Sequence, residues 1–266
     1  MSKDKDDTTP TAFGIDIGGS GIKGAPVDLR TGEFAADRVR IPTPDESTPD
    51  NVARVVAEVV RSFDLPDDVP VGVTFPAVVQ HGVARSAANV DSSWIGTNIE
   101  HVVGQALGRP VVAVNDADAA GYAEAVHGAA RGSRGVTLLT TLGTGIGTAM
   151  VVEGVLVPNL ELGHLEIDGH DAETQAAESA RERDDLSWEE WAQRLQRYYA
   201  VVEDLLWPDL IVVGGGVSKH HEKFLPLLHL RAPIVPAQLR NAAGIVGAAA
   251  LAARAAGVTV PGENAP

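Results

Sequence analysis

Three times along this chain a short apolar run stops on a cluster of glycines. Phe13 to Asp16 ends at Gly18-Gly19-Ser20-Gly21, Val136 to Thr141 at Gly143-Thr144-Gly145-Ile146-Gly147, and Leu210 to Val213 at Gly214-Gly215-Gly216. Glycine lets the backbone approach a neighbour closely and adopt the positive φ of a tight turn. One such cluster is an ordinary turn. Three at strand ends in one short chain point to backbone amides gathered around phosphate oxygens, with Thr144 adding a hydroxyl. The spacing does not fit the P-loop pattern G-x-x-x-x-G-K-[ST], so this is a different phosphate-binding architecture.

Between these turns, strand and helix patterns alternate. Val39 to Ile41 and Val71 to Phe75 read as strands. Val52, Val55, Val56, Val59, Val60 and Phe63 repeat at helical spacing behind Thr48 as N-cap and Pro49 as first helical residue. Pro110 to Val114 is nearly all apolar, as expected of a strand buried on both faces, and a helix follows from about Ala117 to Ala130. Val136 to Thr141 and Thr148 to Val152 flank the second glycine turn as a hairpin. Residues 171–207 are helical in composition, broken near Asp184 to Ser187, and Ala242 to Ala256 makes a small-residue helix. The class is α/β with open, partly parallel sheets. The recurrence of strand, glycine turn and strand suggests two related halves with a cleft between them. The expected organisation is a disordered tail (1–11), a small N-terminal lobe (12–114) closed by the helix 242–257, a large C-terminal lobe (115–241) and a second tail (258–266).

Composition removes several classes. With 44% hydrophobic residues the chain buries a real core, and with no cysteine it has neither disulfides nor thiolate metal sites. No apolar run is long enough to span a bilayer and the N-terminus lacks a secretory pattern, so no membrane role and a cytoplasmic location are expected. The net charge of −15 argues against nucleic-acid partners. Any polyanionic ligand must therefore be gripped locally. Lys23, Arg131, Arg134, Lys219, Lys223 and Arg240, near the phosphate turns, are the available cations.

Three polar groups carry further chemistry. Asp16, at a strand end beside the first glycine turn, can hold a hydrated Mg²⁺ near phosphate oxygens. Asn115-Asp116 closes an apolar strand, where open α/β sheets bind their ligands. Asp116 there can accept a hydroxyl proton, or Asp116 or Asp118 can simply cap the next helix. Glu161-Leu162-Gly163-His164-Leu165-Glu166 gathers carboxylates and an imidazole suited to adjacent sugar hydroxyls. His164 and His170 alone fall short of the four ligands of a structural zinc site.

Asp16-Ile17-Gly18-Gly19-Ser20, Asn115-Asp116, Leu142 to Gly147, Glu161-Leu162-Gly163-His164 and Gly214-Gly215-Gly216 together resemble the ROK family of sugar kinases and repressors, over nearly all of Phe13 to Ala256. The resemblance implies an actin-like (ribonuclease H-like) two-lobed sugar kinase fold with the sugar in the cleft. It implies Asp116 as the general base for the 6-hydroxyl, and Asn115, Glu161 and His164 as sugar ligands. Glu173, with Glu166 as the alternative, would be one more sugar ligand, and Asn89, Asp91 and Trp94 would lie where the small lobe closes. Gly18, Gly19, Ser20, Lys23, Gly143, Thr144, Gly145, Gly214, Gly215 and Gly216 would hold the phosphoryl donor, with Mg²⁺ at Asp16. Most members follow the His with a zinc-binding cysteine cluster. This chain has none, so no structural zinc is expected, and packing by Trp188 and Trp191 replaces it. The stretch Asp184 to Arg194 and the compact length are similar to the actinobacterial polyphosphate glucokinases of that family. That likeness implies glucose as substrate, polyphosphate or ATP as donor, and a homodimer. A strictly ATP-dependent glucose or mannose kinase is the alternative. A sugar-sensing repressor would need a helix-turn-helix, for which the short polar N-terminus leaves no room.

Overall fold

The computed structural model describes residues 10–87 and 90–261 of the chain. It divides into two compact units. The first runs to Ala119 and resumes at Gly244; the second is Ala120–Ala243.

In the first unit, β1 (Thr11–Gly18) and β2 (Gly21–Asp28) form a hairpin closed by the first glycine turn. The unit continues through β3 (Val39–Ile41), α1 (Pro49–Arg61), β4 (Val71–Phe75), the small ribbon β5 (Val79–Gln80) and β6 (Val83–Ala84), α2 (Ile99–Leu107) and β7 (Val112–Asn115). Its sheet has the order β3-β2-β1-β4-β7, with β1, β4 and β7 parallel and the other pairings antiparallel. α3 (Asp116–His127) leaves the end of β7 and carries the chain into the second unit.

The second unit repeats the plan. β8 (Val136–Leu142), β9 (Ile146–Val152) and β10 (Val155–Leu160) form an antiparallel meander. After the ribbon β11 (Glu166–Ile167) and β12 (His170–Asp171) come α4 (Glu173–Ala176), α5 (Glu178–Arg183) and α6 (Trp188–Leu206). β13 (Leu210–Gly214) and β14 (Ile234–Pro236) then pair in parallel beyond β8, giving the order β10-β9-β8-β13-β14. Taken in chain order within each unit, both sheets read 3-2-1-4-5, and in both a glycine turn joins the first strand to the second. α7 (Ala243–Ala255) then returns the chain to the first unit.

Small residues allow that return. A Cβ on Gly14 of β1 would lie 1.9 Å from the Ile245 carbonyl oxygen, and one on Gly72 of β4 would lie 1.9 Å from that of Ala248. The main chain of α7 therefore lies directly on the sheet, which its Ala- and Gly-rich sequence permits. Above the second sheet, α6 buries Trp191, Leu195, Tyr198, Tyr199 and Val202 against Leu138, Ile211 and Val213. Ser187 and Glu190 close the start of α6 with a reciprocal capping box. The Trp191 indole N–H donates to the Ala176 and Ala177 carbonyls at 3.0 and 3.2 Å, holding α4 and α5 in place. Trp188 stacks at 6.1 Å on Phe224 with Arg181 over its face at 3.9 Å. Both tryptophans are thus packing residues, as the sequence suggests.

Several expectations need correction. β7 is the edge of its sheet and only half buried at Val112 and Ala113. Its apolar run does not mark a strand covered on both faces; instead Glu100 of α2 accepts the edge N–H of Ala113 at 3.1 Å. Thr48 occupies the N-cap position of α1 but makes no capping bond through its side chain. The stretch 171–207 is interrupted between α4 and α5 as well as before α6. Thr11, assigned to the tail, pairs with Asp28, while residues 1–9 and 262–266 lie outside the described residues. Among the described residues no helix is long and apolar enough to cross a membrane.

Glu124 of α3 is almost wholly buried, and its carboxylate accepts the backbone N–H groups of Ala129, Gln238 and Leu239 at 2.7, 3.1 and 2.7 Å. It joins the end of α3 to the chain leaving β14. Glu124→Leu would orphan these donors and should cost about 3–5 kcal/mol in urea denaturation. A change below about 1 kcal/mol would show that the three donors find other partners.

Candidate active site

Parallel register brings the polar residues of the first unit to one end of the sheet. Asp16 pairs with Thr74, and Phe75, next along β4, with Asn115. The buried Thr74 hydroxyl donates to Asp16 Oδ1 at 3.0 Å, and Lys23 Nζ lies 3.2 Å from Oδ2. A carboxylate has about four lone-pair sites, so each oxygen keeps acceptor capacity. Gly244 leaves space beside it, since a Cβ there would stand 3.3 Å from Oδ1. With Lys23 already offsetting part of the charge, these residues fit a hydrated Mg²⁺ held through water. At the adjacent turn, Arg40 donates from Nη2 to the Ser20 carbonyl at 2.7 Å, and its guanidinium fills the space a Cβ on Gly21 would need. Gly18, Gly19 and Gly21 are not at positive φ. A Cβ at Gly21 would displace the Arg40 guanidinium from this seat.

Asn115 is the cap of α3. Its Oδ1 accepts the Ala117 and Asp118 N–H groups at 2.8 and 3.1 Å, and Nδ2 donates to the Ala77 carbonyl at 3.0 Å. Capping thus falls to Asn115 and not to Asp118. Asp116 is exposed at the first turn of the helix, where it accepts the Ala117 N–H at 2.8 Å.

In the second unit the parallel pair β8 and β13 sets the second and third glycine turns side by side, with Thr141 opposite Gly214. Gly215 takes φ of 82°, and a Cβ there would meet the Leu142 carbonyl oxygen at 2.2 Å, so only glycine serves. The second turn is partly committed to the protein itself. The Gly143 N–H bonds the Gly145 carbonyl, the Ile146 N–H donates to Glu173 Oε2 at 3.0 Å, and the Ser179 hydroxyl donates to the Thr144 carbonyl at 2.6 Å. Beside the third turn, burial raises the pKa of Glu178, Glu182 adds to the rise, and Lys219 and Arg181 oppose it.

Beyond β10 the chain forms a carboxylate–imidazole cluster. Buried Thr148 holds this segment, donating to the Leu160 carbonyl and accepting the Leu162 N–H at 3.1 Å, so Glu161 projects from a fixed backbone. A 3-10 turn, Leu162–His164, then presents His164. Its Nδ1 lies 2.9 Å from Asp171 Oδ2 and 3.9 Å from Glu173 Oε1, and its Nε2 lies 4.0 Å from Glu161 Oε2. The Asp171 hydrogen bond raises the His164 pKa, burial opposes it, and the charges of Glu173, Asp171 and Glu161 add to the rise. Burial pushes Glu161 up, His164 pulls it down and Glu173 pushes it up again. Glu173 therefore joins the cluster. Glu166 is exposed on β11.

Thr74, Arg40 and Asp171 were missed from the sequence. Parallel pairing alone reveals Thr74, Arg40 sits in an ordinary strand, and the ribbon β11–β12 folds Asp171 back beneath His164. Trp94 is fully buried, 4.5 Å from Phe75, with its indole N–H on the Ser47 carbonyl, so it is core and no sugar contact. Asp91 caps the 3-10 turn beside it by accepting the Ser93 N–H. Asn89 lies outside the described residues.

The profile of the ROK family matches residues 12–175. This chain belongs to the ROK family. Within that family it is 52% identical over 238 residues to the polyphosphate glucokinase of Mycobacterium tuberculosis (strain CDC 1551 / Oshkosh), covering 89% of each chain. The polyphosphate glucokinase of Mycobacterium leprae (strain TN) is 48% identical over 238 residues, 89% of this chain and 73% of that one. Among solved ROK structures, the inorganic polyphosphate/ATP-glucomannokinase of Arthrobacter sp. strain KM superposes with a TM-score of 0.86 at 56% identity, over 92% of this chain and 99% of that one. A ROK glucokinase from Streptomyces griseus, solved with glucose and AMPPNP, shares the fold with a TM-score of 0.76 at 24% identity, over 92% and 99% of the two chains. The motif resemblance and the actin-like kinase fold are thereby borne out.

The second turn offers a paired test. A Cβ on Gly145 would lie 2.4 Å from Glu173 Oε2, whereas one on Gly143 would meet nothing within 4 Å. Gly145→Ala should break the Glu173–Ile146 hydrogen bond and cost about 1–3 kcal/mol in urea denaturation, while Gly143→Ala stays within about 0.5 kcal/mol of wild type. Equal effects would mean that Glu173 does not depend on the turn.

Proposed function

We propose that this chain phosphorylates glucose, transferring a terminal phosphoryl group from inorganic polyphosphate to the 6-hydroxyl, with ATP as a further donor. The observation that carries this reading is the 52% identity, along 89% of both chains, to a polyphosphate glucokinase. The candidate residues are consistent with it: an exposed carboxylate at a helix start, a second carboxylate among phosphate-type turns, and a carboxylate–imidazole cluster suited to hydroxyls.

In this reading Asp116 takes the proton from the 6-hydroxyl as that oxygen attacks the terminal phosphorus and the remaining polyphosphate leaves. Asn115 holds Asp116 at the helix start and keeps one amide hydrogen for the sugar. Glu161, His164, Glu173 and Asn89 bind the other hydroxyls. Their directional bonds orient the sugar and supply most of the catalytic advantage, because phosphoryl transfer leaves little covalent work to the protein. Mg²⁺, held through water at Asp16, would neutralise charge on the donor oxygens. Lys23, Arg40 and amides of the turns at Gly18–Ser20, Gly143–Gly145 and Gly214–Gly216 bind those oxygens directly. The ATP-linked glucomannokinase likeness supports mannose as a second sugar, and the family likeness supports a homodimer. The net charge of −15 argues against a nucleic-acid partner.

Glucose 6-phosphate formation with polyphosphate and with ATP, each with Mg²⁺, tests the reading directly. The expected result is a polyphosphate kcat/KM at least about tenfold above that for ATP, ~1.4 kcal/mol in transition-state stabilisation. A reversed ratio would make the protein an ATP glucokinase, and no product with either donor would overturn the function. Asp116→Asn should lower kcat by about 10²–10⁴ while glucose still binds; near-normal turnover would remove the general-base role. Because a long anion meets several of Lys23, Arg131, Arg134, Lys219, Lys223 and Arg240, its KM should rise steeply with salt. A flat salt profile would rule out an extended basic track.

A further inference from the structure

His164 faces three carboxylates that do not act on the same atom. Asp171 and Glu173 approach Nδ1, at 2.9 and 3.9 Å, while Glu161 lies 4.0 Å from Nε2. We propose that Asp171 is a positioning residue which accepts the Nδ1 proton of His164 and fixes the imidazole tautomer and orientation, so that Nε2 faces Glu161 and a sugar hydroxyl and gains its proton when the ring is protonated. The proposal rests on the reading of His164 as a sugar ligand.

The aspartate is itself held in place. Its Oδ1 accepts the Glu173 N–H at 3.3 Å, leaving Oδ2 for His164, and its carbonyl accepts the Thr174 hydroxyl at 2.6 Å. Glu173 in turn is tied to the Ile146 N–H. One hydrogen-bonded chain therefore runs from the second glycine turn through Glu173 and Asp171 to the imidazole. A histidine whose Nδ1 proton is engaged can change protonation only at Nε2.

The consequence for a sugar is specific. With His164 cationic, Nε2–H donates and Glu161 accepts, so the pair matches a hydroxyl that accepts from one and donates to the other. With His164 neutral, Nε2 becomes an acceptor beside the acceptor Glu161, and that hydroxyl can satisfy only one of them. The titratable groups around the ring are Glu161 ahead of the 3-10 turn, Asp171 on β12 and Glu173 on α4, with exposed Glu166 and His170 on the ribbon β11–β12. The near carboxylates favour the cation against burial, the Asp171 hydrogen bond most of all. Since the shift is upward, sugar binding is strong below the His164 pKa and weakens as pH rises through it.

The test uses full-length, sugar-free protein with ¹⁵N-labelled histidine, His164 being assigned by its loss in His164→Gln. Long-range ¹⁵N spectra across a pH titration should show Nδ1 protonated throughout and Nε2 losing its proton. Asp171→Asn keeps an oxygen acceptor but removes the charge. The midpoint should then move to lower pH, the alkaline rise in glucose KM should move with it, and KM at neutral pH should rise about tenfold with kcat little changed. Asp171→Ala should release the neutral ring to the Nε2–H tautomer. A wild-type neutral ring protonated at Nε2 would overturn the proposal even if neither variant folds, as would an unmoved midpoint in Asp171→Asn. A midpoint that moves while glucose KM does not would leave the dyad standing and overturn the sugar-ligand reading instead.

Discussion

Parallel strand pairing is the constraint on which the chemistry of this protein depends. Parallel neighbours end at the same side of a sheet, so groups far apart in the chain meet without any local signal. The pairing of β1 with β4 and of β4 with β7 puts Asp16 beside Thr74 and carries Asn115 to the same end. The pairing of β8 with β13 does the same for the second and third glycine turns. Hairpins could not do this, because each would send its next strand end to the opposite side. The repetition of one strand order in both units applies this device twice.

Around that frame, polar groups are placed so that the candidate site residues are held in position. Thr74 and Lys23 share the Asp16 carboxylate, Asn115 spends most of its amide on capping α3, and Thr148 clamps the segment leading to Glu161. In each case a neighbouring residue fixes the orientation of a candidate site residue. The division follows from the cost of leaving a buried donor or acceptor unpaired, which makes a satisfied network rigid. The same cost explains why the almost wholly buried Glu124 sits where three backbone N–H groups converge.

Two tryptophans pack the segment that follows His164. Trp191 anchors α4 and α5 through its indole N–H, and Trp188 packs against Phe224 and Arg181. These contacts give the segment after His164 a core of its own. The ribbon β11–β12 then returns Asp171 to the imidazole, so orientation of the ring falls to a hydrogen bond within the same segment.

The amino-acid sequence by itself determined the α/β class, the hairpins and helices, and the residue types of the phosphate turns, because periodicity and glycine clusters are local properties of the chain. It also held the catalytic candidates Asp16, Asp116, Glu161 and His164 within short motifs. It misled where a local pattern has two structural uses: an apolar run that became a half-buried edge strand, and a tryptophan, Trp94, that became core. Only the tertiary structure decided that Glu173 joins His164 while Glu166 stays exposed, that Arg40 fills the space at Gly21, and that Asp171 lies against Nδ1. Those outcomes depend on strand register and on the path of a short ribbon. Both are set by packing of distant segments, which no window of sequence contains.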